Sequence, residues 1–222
     1  MQILHLNLQE LPMFHDLQKE EVDLFVQATG ATVRRYEKGV RLLQAYQENN
    51  MIGVVVDGMA QVLSEDRWGN EVIGHGLERG AMLGSTSAIM PQLATGTAVE
   101  ALTTVLVLWI PYRALLTVGT KLGRIHGIVM KNILEAFVRK NVRMMEKVEL
   151  LSQKTLRERL ILYLLQHEKR QGSDWVKVPG RVQLAKELEC NRSALTREIT
   201  AMQAEGLLAS EEDRMRLDKK RI

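Results

Sequence analysis

The sequence predicts an α+β protein with a strand-rich N-terminal part, one long helix and a helical C-terminal part. Three observations predict this class. Short apolar segments separated by turn residues recur at roughly ten-residue intervals between Thr32 and Tyr112. An unbroken heptad pattern runs from Met130 to Leu151, and two short helical patterns flank a polar turn within residues 182–208.

Length and composition allow one large or two modest domains, because 222 residues with 45% hydrophobic residues can bury a real core. The change of pattern near residue 115 favours two. The single Cys190 excludes a disulfide framework and an all-cysteine iron–sulfur or zinc site within one chain, and it fits a reducing cytoplasm. With no signal-peptide pattern and no apolar run long enough for a bilayer, we expect a cytoplasmic protein without a membrane partner.

The net charge of +3 is unevenly distributed along the chain. Residues 1–120 hold 8 basic and 13 acidic residues, residues 121–151 hold 7 and 3, and residues 152–222 hold 15 and 11. This division suggests that a polyanion would meet the C-terminal part. A random surface asymmetry is the simpler alternative.

The N-terminal part begins with a helical spacing from Leu17 to Thr29 and continues as strands. The predicted strands are VRRY, GVRLLQ, MIGVVVDG, AQVLSED, EVIGHGL, AMLG and TTVLVLWIPY. Asp57-Gly58 between two apolar runs is typical of a hairpin. Regular short strands with such turns indicate a sandwich or small barrel.

The long helix carries a seam of residues spaced alternately four and three apart. The seam is Met130, Leu134, Phe137, Asn141, Met144 and Val148, continued by Leu151. Such a stripe either packs on the chain's own sandwich or pairs with a second copy. A single Asn within a seam fixes register in paired helices, so we favour a parallel homodimer.

The C-terminal part predicts a helix from Thr155 to His167, a break at Gln171 to Asp174, and a short strand WVKV. Two short helices follow and must share one core. Their apolar residues are Leu184, Ala185 and Leu188 in the first, and Leu195, Ile199 and Met202 in the second. Asn191 is a favoured N-cap for the second helix, which then exposes Arg192, Ser193, Thr196 and Arg197.

A helix with this exposed face fits the major groove of DNA, where an arginine can donate two hydrogen bonds to guanine and discriminate by about 1–3 kcal/mol. Residues 205–217 read as strand, turn and strand, which predicts a wing after the helix-turn-helix. The alternative is an ordinary three-helix subdomain with a solvated basic face.

From about Leu17 to Leu217 the chain resembles the Crp/Fnr family of bacterial transcription regulators. The resemblance is carried by VVVDGMAQV and ERGAMLG, the long helix, RERLILYLL, and LAKELECNRSALTREITAMQAEGLL. It implies a β-roll sensor domain (a jelly roll like those that bind cyclic nucleotides) at 1–118, a long dimerisation helix at 119–152, and a winged helix-turn-helix at 153–222. It also implies a homodimer that binds a palindromic double-stranded DNA operator in response to a signal, with RNA polymerase as a candidate partner.

The resemblance implies that Arg192, Ser193 and Arg197 lie where the family contacts bases and phosphates, and that Arg181 touches phosphate. With Asn191 and Thr196, these are the candidate DNA-binding residues. Two departures stand out. Ser193 replaces a base-reading Glu of the best-known members, so we expect a different half-site, and Glu189 replaces the usual glycine of the turn.

In members that bind cyclic nucleotides, a Gly-Glu pair and an Arg-Ser pair hold the ribose and the phosphate. Gly84-Ser85 and Thr95-Gly96 stand at those places here. A serine cannot accept from two ribose hydroxyls as a carboxylate can, and Thr95 carries no charge for the phosphate. We therefore expect no cyclic nucleotide.

The candidate effector pocket holds an unknown small molecule in this interpretation. It consists of Gly84, Ser85, Thr95 and Gly96, with Met144 and Met145 of the long helix where the family's ligand meets the dimer axis. An empty roll that acts without a ligand is the alternative.

We expect no catalytic residue, metal site or cofactor. A haem would need His75 or His126 as an axial ligand, but a lone His is more often a surface or packing residue. A cupin-type metal centre needs clustered ligands, and His75 is the only His between Thr32 and Tyr112. The main alternative to a DNA-binding regulator is a ligand-binding module without DNA binding.

Overall fold

The computed structural model describes residues 7–65, 71–92 and 96–221 and divides into two compact units, Met1–Ala136 and Phe137–Ile222. In the part of the chain so described, no helix is long and apolar enough to cross a membrane. The same residues contain no group of three or more His, Cys, Asp or Glu side chains placed to hold a metal ion.

The first unit contains two antiparallel sheets and several short helices. Its elements are two 3₁₀ turns (Leu8–Glu10 and Pro12–Phe14), α1 (Lys19–Thr29), β1 (Thr32–Tyr36), β2 (Arg41–Leu43), β3 (Met51–Asp57), β4 (Ala60–Glu65), β5 (Glu71–Leu77), β6 (Met82–Leu83), α2 (Ser85–Ile89), β7 (Thr97–Ala101), β8 (Val105–Pro111), α3 (Tyr112–Thr117) and α4 (Gly119–Leu122). One sheet has the order β1-β8-β3-β6 and the other β2-β7-β4-β5. Both contribute to one apolar core, for example through Val107 and Trp109 of the first sheet and Leu42 and Val99 of the second. The unit is therefore a β-sandwich.

The prediction of a hairpin at Asp57-Gly58 was wrong. The chain does turn there, and Gly58 has φ +84°, but β3 and β4 belong to different sheets. A Cβ on Gly58 would lie 2.1 Å from the carbonyl oxygen of Thr104, so this corner requires glycine. The turn therefore carries the chain from one sheet of the sandwich to the other.

A 29-residue helix, α5 (Arg124–Ser152), starts in the first unit and ends in the second. It begins after Gly123, whose φ of +47° ends the short helix before it. Near its start, Asn132 is buried and its Nδ2 donates to the carbonyl oxygens of Met13 (3.1 Å) and His15 (2.8 Å). These bonds tie the first turns of α5 to the N-terminal segment.

The second unit continues with α6 (Leu156–Gln171), β9 (Val176–Lys177), α7 (Arg181–Glu187), α8 (Arg192–Ala204), β10 (Leu208–Glu211) and β11 (Arg214–Leu217). The last two strands form an antiparallel hairpin, and β9 pairs with β11. Thr155 and Glu158 form a capping box that starts α6. One core joins these elements, and the apolar residues predicted to be shared by the two short helices, Leu184 and Leu195 among them, are buried in it.

Candidate DNA-binding surface

The turn between α7 and α8 is a Schellman motif with a glutamate in the left-handed position. The Cys190 N–H donates to the carbonyl of Ala185 (3.0 Å) and the Glu189 N–H to that of Lys186 (3.2 Å), while Glu189 has φ +50°. Glycine is usual at this position because a Cβ there costs about 1–2 kcal/mol. Glu189 therefore adopts the left-handed conformation itself, and the turn keeps its usual geometry without a glycine.

Two cations hold the carbonyl oxygens at the end of α7. The Lys147 ammonium of α5 donates to the carbonyl of Glu187 (2.7 Å) and lies 3.7 Å from the Glu189 carboxylate. The Arg159 guanidinium of α6 donates to the carbonyl of Leu188 (3.0 Å). Positive charge at a helix C-terminus also complements the helix dipole. Sequence reasoning did not identify these two residues, because neither lies near the motif in the chain.

Asn191 caps the start of α8, as predicted. Its Oδ1 accepts from the Ala194 N–H (2.7 Å) and from the Ser193 hydroxyl (2.9 Å). The Thr196 hydroxyl donates to the carbonyl of Arg192 (2.9 Å). The first turn of α8 is therefore ordered before any ligand binds, and both hydroxyl oxygens keep lone pairs for an incoming donor.

The two arginines of α8 are exposed to solvent. Leu195, Ile199 and Met202 face the core, while Arg192 and Arg197 face solvent. Among the described residues, neither arginine has an ion pair or a side-chain hydrogen bond. Their donors are therefore available to an external acceptor.

Arg181, the first residue of α7, is a partly buried cation without an ion pair among the residues that the structure describes. Its Nη1 is buried without a hydrogen-bond partner in the described structure, and burial lowers its pKa from the ordinary value. Arg181 and Arg192 line one open depression of about 400 Å³, together with Gly180, Val182 and Gln183. None of these five lining residues is acidic.

Comparisons with known proteins agree with this architecture. The protein-family model described as "Cyclic nucleotide-binding domain" matches residues 33–120. A search of curated proteins found no match.

Three solved structures are similar over most of the chain. The catabolite activator protein of Thermus thermophilus is 20% identical, with 94% of each chain covered and a TM-score of 0.54. The c-di-GMP-responsive global regulator CLP of Xanthomonas campestris is 17% identical, with 90% of this chain and 99% of that chain covered and a TM-score of 0.55. CprK in complex with OCPA is 14% identical, with 89% and 91% covered and a TM-score of 0.63. These likenesses show a shared α+β fold with a long helix, which is the fold that the resemblance to the Crp/Fnr regulators implied.

The predicted effector residues lie in two separate stretches of the chain, residues 84–96 and residues 144–145. Gly84, with φ +71°, precedes α2, and its carbonyl accepts from the Asn49 amide (2.9 Å). That amide also bonds to the hydroxyl of Ser87 (3.1 Å), so Asn49 orders the turn that leads into Ser85. A Cβ on Gly96 would lie 2.6 Å from the Tyr46 hydroxyl.

Thr95 lies outside the described residues. Met144 and Met145 belong to the second unit, where they are 59% and 64% exposed. Asn49 and Tyr46 were not predicted, since both precede the motif by more than thirty residues.

The predicted seam of α5 is only partly exposed. Leu134 (58%), Met144 (59%) and Val148 (68%) are open to solvent, whereas Met130 and Phe137 are half-buried. Asn141 is exposed. Large apolar side chains outside the predicted seam are exposed as well, namely Val138 (61%), Val142 (47%) and Met145 (64%).

Proposed function

We propose that this chain is a sequence-specific DNA-binding transcription regulator of the Crp/Fnr type that acts as a homodimer in the cytoplasm. In this proposal α7 and α8 form a helix-turn-helix with α8 as recognition helix, and β10 and β11 form the wing. The observation that carries the proposal is the set of three arginines, Arg181, Arg192 and Arg197, that lack acidic partners among the described residues of the protein.

The three arginines have different roles in this proposal. Arg197 reads a base in the major groove, Arg181 binds a phosphate through the part of its guanidinium that is not buried, and Arg192 lies between them in the sequence, at the start of α8. The hairpin tip carries Glu211, Glu212 and Asp213, all exposed. Because these carboxylates repel phosphate, we assign the phosphate contact to α7 and not to the tip.

A second copy covers the exposed apolar face of α5 in this proposal. Leu134, Val138, Asn141, Met145 and Val148 are spaced 4, 3, 4 and 3, which is also a heptad pattern. Their exposure favours this seam over the predicted one, which includes the half-buried Met130 and Phe137. The five residues span about 21 Å of helix, enough for a short parallel coiled coil.

The dimer would present two copies of α8 to adjacent major grooves. The operator is then a rough palindrome with half-sites about 34–36 Å apart. A signal at the β-roll would shift the DNA-binding parts between two arrangements by a change near Leu151–Thr155, of which one fits both grooves. Because Ser85 is not a carboxylate, we infer a small effector other than a cyclic nucleotide.

Selection of bound sites from random DNA tests this proposal most directly. We expect a palindromic consensus, with binding that weakens steeply as salt rises. Arg197→Ala should cost about 1–3 kcal/mol per half-site and relax the preference at one base pair of each half-site. Arg216→Ala on the hairpin serves as the matched control, because this arginine already packs on the Trp175 ring at 4.9 Å.

The alternative function is a ligand-binding module without specific DNA binding. The same experiment separates the two functions. Failure to enrich any sequence at low salt, with and without cell extract as a source of effector, would favour the module.

A further inference from the structure

Arg157, near the start of α6, bonds to two carboxylates at different heights along α8. Its Nε donates to Glu198 (2.7 Å), and its Nη1 and Nη2 donate to the two oxygens of Glu205 (2.6 and 2.8 Å). Glu198 and Glu205 lie seven residues apart, which is two helical turns on one face. One planar guanidinium therefore holds α8 at its middle and at its C-terminal end.

A grip at two heights opposes rotation of α8 about its own axis. A rotation of about 20° would move a side-chain tip 5–6 Å from the axis by about 2 Å. Hydrogen bonds to a base edge tolerate only about 0.5 Å. Rotation of the helix would therefore misalign Arg197, which neighbours Glu198 in the sequence, without unfolding anything.

The same contacts neutralise the carboxylates of Glu198 and Glu205. Without Arg157, the Glu198 carboxylate would be an unneutralised acid beside Arg197, where it could pair with that arginine or repel DNA phosphate. With Arg157 in place, Glu198 is only 25% exposed and already paired. The hydrogen bonds from Arg157 also lower the pKa of Glu205, so this end stays ionised at neutral pH.

We infer that Arg157 is a positioning residue for sequence reading: it sets the rotation of α8 through Glu198 and Glu205 and keeps Arg197 free for DNA. This inference rests on the proposed function. It distinguishes Arg157 from Arg181 and Arg197, which would touch the DNA themselves.

The test compares three variants of the full chain on the operator selected from random DNA. Arg157→Met keeps the apolar stem and loses all three bonds. Arg157→Lys keeps the charge, but an ammonium cannot form the planar fork. Arg170→Met is the matched control, because Arg170 also leaves α6 to pair with a glutamate, Glu146 (3.1 Å), but does not bond to α8.

Affinity is measured for the operator, for its single-base variants and for unrelated DNA over a range of salt, well below the unfolding temperature of each variant. We expect Arg157→Lys to lower the ratio of operator to unrelated-DNA affinity about tenfold, with the salt slope and the affinity for unrelated DNA unchanged. Arg157→Met should lower the ratio at least as much and should also weaken binding to all DNA, because it leaves Glu198 and Glu205 without a counter-charge. Arg170→Met should keep the wild-type ratio.

Two outcomes would overturn the inference. An equal loss on all DNA sequences with a shallower salt slope would make Arg157 a phosphate contact. An unchanged ratio of operator to unrelated-DNA affinity, with or without a lower unfolding temperature, would mean that the bonds of Arg157 to Glu198 and Glu205 serve stability only. If Arg157→Met does not fold, Glu205→Gln removes only one arm of the grip and should give a smaller fall in the ratio. If the wild-type chain selects no operator, both the proposed function and the role of Arg157 fail. If the wild-type chain selects an operator but Arg157→Met keeps the wild-type ratio of operator to unrelated-DNA affinity, only the inference about Arg157 fails.

Discussion

Replacing Arg181 with methionine should weaken DNA binding without destabilising the fold. The Nη1 of Arg181 is buried without a partner among the described residues. A fully buried unsatisfied donor costs about 1–3 kcal/mol. Because Arg181 as a whole is only half-buried, we place the cost at the low end, about 1 kcal/mol or less. Methionine keeps most of the stem, so Arg181→Met should leave the free energy of unfolding unchanged or raise it by up to about 1 kcal/mol.

The effect on DNA binding follows from the charge. Each phosphate contact contributes about 0.9 to the slope of log affinity against log salt, and a dimer has two copies of Arg181. The slope should therefore become shallower by about 1.8, and affinity should fall alike for specific and unrelated DNA. Fluorescence anisotropy over a salt series measures the slope, and denaturant unfolding without DNA measures stability.

Lys186→Met is the control for both measurements, because Lys186 is an exposed cation at the other end of the same helix. It should change neither quantity. An Arg181→Met protein with the wild-type salt slope would refute the phosphate contact. A loss of several kcal/mol in its stability would refute the claim that the guanidinium is unsatisfied in the free protein.

Three further predictions concern the dimer, the turn and acid stability. Val138→Glu should produce a monomer with an intact fold in sedimentation experiments, because this side chain is 61% exposed in one copy and the proposed dimer would bury it. Arg143→Glu, on the opposite face of α5, should remain dimeric. A dimeric Val138→Glu protein would exclude the proposed seam. Glu189→Gly should raise the free energy of unfolding by about 0.5–1 kcal/mol, because glycine adopts the left-handed conformation without strain. Glu189→Gln keeps the strain and should leave the stability unchanged. Equal stabilities of the glycine variant and the wild type would argue against strain at φ +50°. His167 stacks on Tyr163 (3.9 Å between ring centroids). Burial of the imidazole lowers its pKa below the ordinary value; the bond to the Tyr163 carbonyl is the largest opposing effect, and the nearby Arg170 charge adds to the lowering. The unfolded chain therefore takes up a proton first, so stability should fall as pH drops below about 6.5, and His167→Gln should flatten that fall in thermal melts; an identical pH profile would assign the loss to other groups.

The repeating patterns of the sequence predicted the architecture well. Strands such as Met51–Asp57 and Val105–Pro111 stand out because each is a continuous run of apolar residues, and these two lie side by side in one sheet. The apolar spacing and the Asn191 cap likewise predicted α8, since both are local signals. The spacing of apolar residues is sufficient to predict a helix or strand that buries one of its faces.

Features that depend on distant residues could not be predicted in this way. The strand Thr97–Ala101 was missed because TAVEA is short and includes a Glu, and its burial depends on pairing with Ala60–Glu65. Asp57-Gly58 indicated a turn but not which sheet the next strand joins. The grip of Arg157 on α8 joins residues more than forty positions apart, and no spacing rule connects them.

The cations at the end of α7 bond to backbone oxygens and not to side chains. Lys147 and Arg159 hold the carbonyls of Glu187 and Leu188, atoms that every amino acid carries. The side chains of the turn between α7 and α8, including the glutamate that stands where glycine is common, can therefore change without loss of these two backbone contacts. The two anchoring cations have no such freedom, because a neutral replacement would leave the oxygens at the end of the helix to water.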